Sequence, residues 1–295
     1  VDWTPGDISS DIEDRRDNSG SGGGGFSGGG IGLVGIVLLL VLSLVTGHNF
    51  LGSLLSGSPQ SQPQSYDATG QHPTSPRPHP AGEDEDVHLI SFVLNDAQQT
   101  WTQIFADAGK PYRHAKLVLY RRSTYSGCGT AQATTGPFYC PQDEKIYIDL
   151  SFWDELKRFG GDTTAFAQAY VITHELGHHI QKLLGIEGRE ARLAEQDPEA
   201  RNPLSVDLEL QADCFAGIWA SSAQNRGIVT PSDIPAALSA AAAVGDDHLQ
   251  QMSGRAVSPE SWTHGSSAQR EHWFRAGLTG GTIHSCTTFH GSLAP

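Results

Sequence analysis

The run His174-Glu175-Leu176-Gly177-His178 constrains this chain more than any other feature. It is an H-E-x-x-H pattern inside an apolar stretch of helical length. On a helix, positions i and i+4 share one face, a turn apart. Both imidazoles can then reach one metal ion, and Glu175, directly after the first, can take a proton from a water on that metal. The segment 163–184 contains no proline; Asp162 or Thr163 can cap its start and Gly185 can end it. Its apolar middle argues against two solvated surface histidines, because buried imidazoles need partners and a metal is a partner both can share. His179 points about 100° away around the helix and reads as structural or supporting, not as a ligand.

Two histidines do not complete a catalytic zinc site, which takes three protein ligands and a water. The third is expected in the segment VDLELQADCFAGIW at 206–219, where Glu209 and Asp213 stand at i and i+4. Glu209 is the expected third metal ligand. Asp213 is expected to accept a hydrogen bond from the non-metal nitrogen of His174 and so fix its tautomer. Glu187, Glu190 and Glu195 are nearer in sequence, but they mix with Arg189, Arg192 and Arg201 and read as solvated surface. Asp207 falls on a different face from Asp213. Asn202-Pro203 suits a helix start, a cap followed by proline in the first turn.

A net charge of −14, from 19 Lys and Arg against 33 Asp and Glu, leaves no basic patch to neutralise phosphates, and nucleic acid is not an expected partner. The four cysteines, Cys128, Cys140, Cys214 and Cys286, form no C-x-x-C pair and so do not suggest a four-cysteine zinc ribbon. Cys128 and Cys140 bracket a Gly/Thr-rich loop that looks locally stapled. Cys214 with Cys286 would then tie the C-terminal segment to the second metal helix; four free buried thiols are the plain alternative.

The chain divides by composition into four parts. Residues 1–25 are polar and Gly-rich and are expected to be a flexible cytoplasmic segment. Residues 26–47 are uncharged and long enough for a single transmembrane helix. Arg15 and Arg16 precede that stretch, and the next basic residue after it is Arg77, which predicts a cytoplasmic N-terminus and an extracytoplasmic catalytic domain. Residues 48–86 read as a disordered Ser/Pro/Gln-rich spacer and 87–295 as the folded domain. Within it, helices are expected over 89–108, 163–184, 203–223, 232–244 and 266–278, and strands over 115–120 and 145–150. The fold class is α+β, mostly helical, with a small β-sheet.

Five stretches carry a resemblance. They are Glu13-Asp14-Arg15-Arg16 before a Gly-rich tract, GPFYCPQDEKIYIDLSF (136–152), AYVITHELGHHIQ (169–181), LELQADCFAGIW (208–219) and HGSSAQREHWF (264–274). In these the chain resembles the bacterial membrane-anchored family of neutral zinc metallopeptidases. The resemblance implies a zincin-like metallopeptidase domain behind one membrane anchor, with Zn2+ as cofactor. H-E-x-x-H with a downstream E-x-x-x-D is also similar to the wider group of zincins that use a glutamate third ligand. Zinc peptidases supply a side chain to stabilise the developing oxyanion. His264, six residues before Arg270, is the candidate, since a similar His-to-Arg spacing occurs in integral-membrane zinc proteases that trim prenylated proteins. The plain alternative is a loop histidine at a helix start, with Arg270 in a structural salt bridge. The expected function is a membrane-anchored zinc-dependent peptidase acting on a peptide or protein substrate. A zinc amidase on cell-wall peptides, or a non-catalytic metal-containing envelope binding protein, would be the alternatives.

Overall fold

The segments KLVLY and KIYID alternate in side-chain direction, and the structure uses both faces. In the computed structural model, which describes residues 1–17, 80 and 82–289, they form strands β2 (Lys116–Tyr120) and β6 (Lys145–Asp149). Leu117, Leu119, Ile146 and Ile148 face the main helical core, while Val118, Tyr120 and Tyr147 join Ala131 and Cys140 in a smaller cluster on the other side. These two strands pair in parallel at the centre of a four-stranded sheet. Its edges are β1 (Ile12–Asp14), parallel to β2, and β5 (Phe138–Cys140), antiparallel to β6. A separate hairpin of β3 (Ser123–Ser126) and β4 (Gly129–Gln132) lies between β2 and β5 in sequence, and the Cys128–Cys140 disulfide fastens its turn to the edge strand.

Helices make up the rest. They are α1 (Glu83–Asp107), α2 (Phe152–Arg158), α3 (Ala165–Leu184), α4 (Ile186–Gln196), α5 (Arg201–Asn225), α6 (Ile234–Ala243), α7 (Asp246–Met252) and α8 (Ser267–Gly280). The motif helix α3 is buried through its middle and ends on Gly185 in the left-handed conformation, φ 71°. The expected stapling of Cys214 to Cys286 is present and ties the C-terminal segment to α5. Beside it, α8 meets α5 at backbone contact. A Cβ on Gly277 would stand 1.9 Å from the carbonyl oxygen of Cys214, and one on Gly217 would stand 2.1 Å from that of Phe274. Glycine at both positions is what lets the two helices come this close.

Several expectations need correction. Residues 1–17 are not a flexible tail. They run across α1 and complete the sheet, with Leu117 donating its N–H to the Asp11 carbonyl (2.8 Å) and Arg15 to that of Leu119 (2.7 Å). Trp3 and Ile12 pack against the main core. The folded domain resumes at Glu83, not at 87: the acidic run Glu83–Asp86, read as spacer, is the first turn of α1, where negative charge suits the positive end of the helix dipole. The charged segment after the motif helix is helical as α4, with Ile186 buried against Phe289. The 26–47 stretch and most of the spacer lie outside the described residues. Among the described residues, no helix is long and apolar enough to cross a membrane.

The close crossing of α5 and α8 gives a test. Gly277→Ala forces a methyl group into the Cys214 carbonyl and should destabilise the domain by about 1–3 kcal/mol or more, which thermal unfolding reads as a Tm several degrees lower. An unchanged Tm would show that the helices can part without cost.

Candidate metal centre

The site lies where α3 and α5 cross. Gly177, inside the H-E-x-x-H run, faces Ala212 on α5: a Cβ there would stand 3.0 Å from the Ala212 Cα and carbonyl oxygen. This near contact brings the two helices' metal-ligating faces together. His174, His178 and Glu209 converge, with one candidate ligand atom from each lying within 4.8 Å of the other two. The His174 Nε2 is 3.2 Å from Glu209 Oε2, and the His178 Nε2 is 3.5 Å from Oε1. Ligand atoms held about 2.0–2.1 Å from a tetrahedral zinc stand roughly 3.3 Å apart, so these spacings fit that ion.

The donor set fits it chemically as well. Asp213, fully buried, accepts a hydrogen bond from His174 Nδ1 at 2.8 Å, which leaves Nε2 as the metal-facing nitrogen. The same carboxylate takes a two-pronged contact from Arg270, Nε to Oδ2 at 2.8 Å and Nη2 to Oδ1 at 3.0 Å, and a short hydrogen bond from the Tyr170 hydroxyl. His178 is oriented in turn: its Nδ1 lies 2.9 Å from Gln181 Oε1, while the Gln181 amide donates to the Leu208 carbonyl at 2.7 Å and to Gln211 at 3.1 Å. Burial alone would keep the His174 imidazole neutral, but Asp213 and Glu209 beside it hold its pKa up at about 10. Burial acts to raise the Glu209 carboxyl, and the charges of His178, His264 and His174 overcome it and hold it well below the usual range. Two carboxylates in a buried pocket thus favour a cation between the imidazoles.

Glu175 is 7% exposed, and burial pushes its carboxyl up against the lowering influence of His174 and His178. A carboxyl raised in this way is a stronger base than an ordinary carboxylate. His264 stands on the loop before α8, close enough to Glu209 for the two charges to act on each other. Its Nδ1 lies 2.9 Å from Thr263 Oγ1 and 3.3 Å from Asp246 Oδ1. Asp246 Oδ2 also accepts the backbone N–H groups of Thr263, His264 and Gly265 at 2.8, 2.6 and 3.0 Å, which fixes the loop.

All six residues singled out in the sequence therefore stand at or around one place, and His179 stands apart as expected. Its Nε2 donates to the Arg113 carbonyl (2.6 Å) and its Nδ1 accepts from Tyr139 (3.0 Å), tying α3 to edge strand β5. Arg270 is the buried partner of Asp213 and does not face the imidazoles' metal side, so for Arg270 the structural salt bridge is the right description. Three residues were missed. Tyr170 and Gln181 carried a signal, being four residues before His174 and three after His178 on the motif helix. Asp246 carried none, because it is brought to His264 from another element.

Comparison with known proteins identifies the family. The family model described as "Putative neutral zinc metallopeptidase" matches residues 1–289. The chain is 45% identical over 296 residues to the uncharacterized protein YpfJ of Escherichia coli strain K12, covering 99% of each. It is 40% identical over 206 residues to the uncharacterized protein Rv2575 of Mycobacterium tuberculosis strain H37Rv, covering 66% of this chain and 68% of that protein. No solved structure matches it. With the family model spanning nearly its whole length and a relative matched end to end, the chain belongs to the family that this model describes.

Proposed function

We propose that this protein is a membrane-anchored, zinc-dependent peptidase with a zincin-like catalytic domain, hydrolysing peptide bonds with an activated water. The observation that carries the reading is the convergence of His174, His178 and Glu209, with the buried Glu175 near enough to feel their charges. A structural metal site has no use for a carboxyl at that position, so the same observation speaks against a non-catalytic binding protein. The two disulfides suit an oxidising compartment, and the domain is assigned to the extracytoplasmic side, tethered by 26–47.

His174, His178 and Glu209 would hold the zinc. When bound, it supplies Lewis acidity, which polarises the scissile carbonyl and makes water a nucleophile at neutral pH. Glu175 accepts the proton of the attacking water and passes it to the leaving amine. Its buried setting raises the carboxyl and so makes it a stronger proton acceptor. His264 gives its Nδ1–H to Asp246 and serves the developing oxyanion through Nε2–H as an imidazolium, a form that burial opposes and the nearby Glu209 and Asp246 favour. Asp213 keeps His174 in the tautomer the site needs, and Gln181 does the same for His178. An activated water needs no covalent intermediate, and there is no free cysteine to act as a nucleophile.

Two experiments test this. Elemental analysis of the purified protein should find one zinc per chain, and His174→Ala, His178→Ala and Glu209→Ala should each lose it. Stoichiometric zinc retained by the histidine variants would contradict the site; retention by Glu209→Ala alone would move the third ligand elsewhere. In a peptide-library cleavage assay, Glu175→Gln should keep zinc and fold but lose activity by about 10²–10⁴-fold. Near wild-type turnover in that variant would remove Glu175 as the base. Cleavage of cell-wall peptides in place of the library would favour an amidase.

A further inference from the structure

The N-terminal segment and the rest of the domain are one folded body interrupted by the apolar stretch. β1 pairs with β2 in register from Ile12 opposite Leu117 to Asp14 opposite Leu119. Its side chains are bound on every flank. Asp11 meets Lys116 at 2.8 Å and the Gln98 amide at 2.8 Å, and Glu13 meets Lys145 at 2.6 Å. Arg16, with its side chain only 4% exposed, pairs with Asp14 at 2.7 Å and with Glu83 at 3.2 Å. The last contact matters most. Arg16 closes the N-terminal segment and Glu83 opens α1, so the chain leaves the domain after Asp17 and returns at Gly82 beside the point of departure.

A single crossing of the membrane by 26–47 is incompatible with this. It would place β1 and β2 on opposite sides of a hydrocarbon layer about 30 Å thick, while their backbones share hydrogen bonds. A second crossing needs about 20 further apolar residues, and between 48 and 81 the longest such run is Phe50 to Leu55. The orientation signal also weakens. Arg15 and Arg16, the only basic residues before the stretch, are engaged within the fold, Arg15 with Glu13 at 2.6 Å and Arg16 with Glu83. We propose that residues 1–17 and 82–289 lie together on one side of the membrane, the outer side that the two disulfides suit. This replaces a cytoplasmic N-terminus.

The full-length protein in membrane vesicles tests it. Ile8 and Met252 are 43% and 57% exposed and lie on the two parts of the fold, so Ile8→Cys and Met252→Cys should leave it intact. The native cysteines are all bonded and give little background. A membrane-impermeant maleimide should label both sites equally in right-side-out vesicles and neither in inverted vesicles until detergent is added. Labelling of Ile8→Cys from the face opposite to Met252→Cys would overturn the proposal, and labelling of both only in inverted vesicles would overturn the outer placement. As a second measurement, a short bis-maleimide should join Glu13→Cys to Lys145→Cys within one chain. Failure to join them, with each cysteine singly reactive, would also overturn it.

Discussion

The buried carboxylate of Asp213 is the interaction on which the site depends. It is wholly removed from water, and an unpaired charge in that position would be very costly. Arg270 from α8 neutralises it with two parallel hydrogen bonds, while Tyr170 and His174 from α3 take its remaining lone pairs. One group therefore joins three helices and sets the orientation of one metal ligand. Removing either charged partner strands the other, at a cost of about 3–5 kcal/mol for pairs of this kind. Arg270 can reach Asp213 because Gly217 and Gly277 let α8 lie against α5, and the Cys214–Cys286 bond fastens the same region one residue beyond the carboxylate. The end of the chain thus governs the geometry of a motif near its middle.

Much of the site was legible in the sequence because its ligands come from two helices with their own internal period. His174 and His178, and again Glu209 and Asp213, are spaced to share a face, so helix geometry alone limits what they can reach. The cysteine pairing followed from one short bracketed loop. What was illegible came from other elements. Asp246 reaches His264 only through the packing of α7 against the loop before α8, and nothing in its local sequence marks it. The β1 strand is three residues long, polar in two of them, and sits in a segment rich in charge and glycine. Its pairing is set by ion pairs to Lys116, Lys145 and Glu83, all more than sixty positions away, and no local periodicity could report them. The acidic run at Glu83 was misread for a similar reason: the same four charges suit a solvated linker and the first turn of a helix.

The discontinuous sheet also bears on how the domain assembles. Parallel pairing of β1 with β2 closes a loop of about a hundred residues, and contacts of that range form late and depend on the rest of the core. The N-terminal segment buries Arg16 and packs Trp3 and Ile12 on the core, so its docking adds to the stability of the folded domain. β1 and α1 therefore meet at one junction through Arg16 and Glu83, while α3 and α5 are positioned by the core.

The proposed function depends on His174, His178 and Glu209 binding one zinc ion on an intact fold. The most direct measurement is an anomalous-difference map collected across the zinc absorption edge from crystals of the protein grown with zinc. A single strong peak is expected about 2.0–2.2 Å from both imidazole Nε2 atoms and a Glu209 carboxylate oxygen. A peak bound elsewhere, or none among these three side chains, would contradict it.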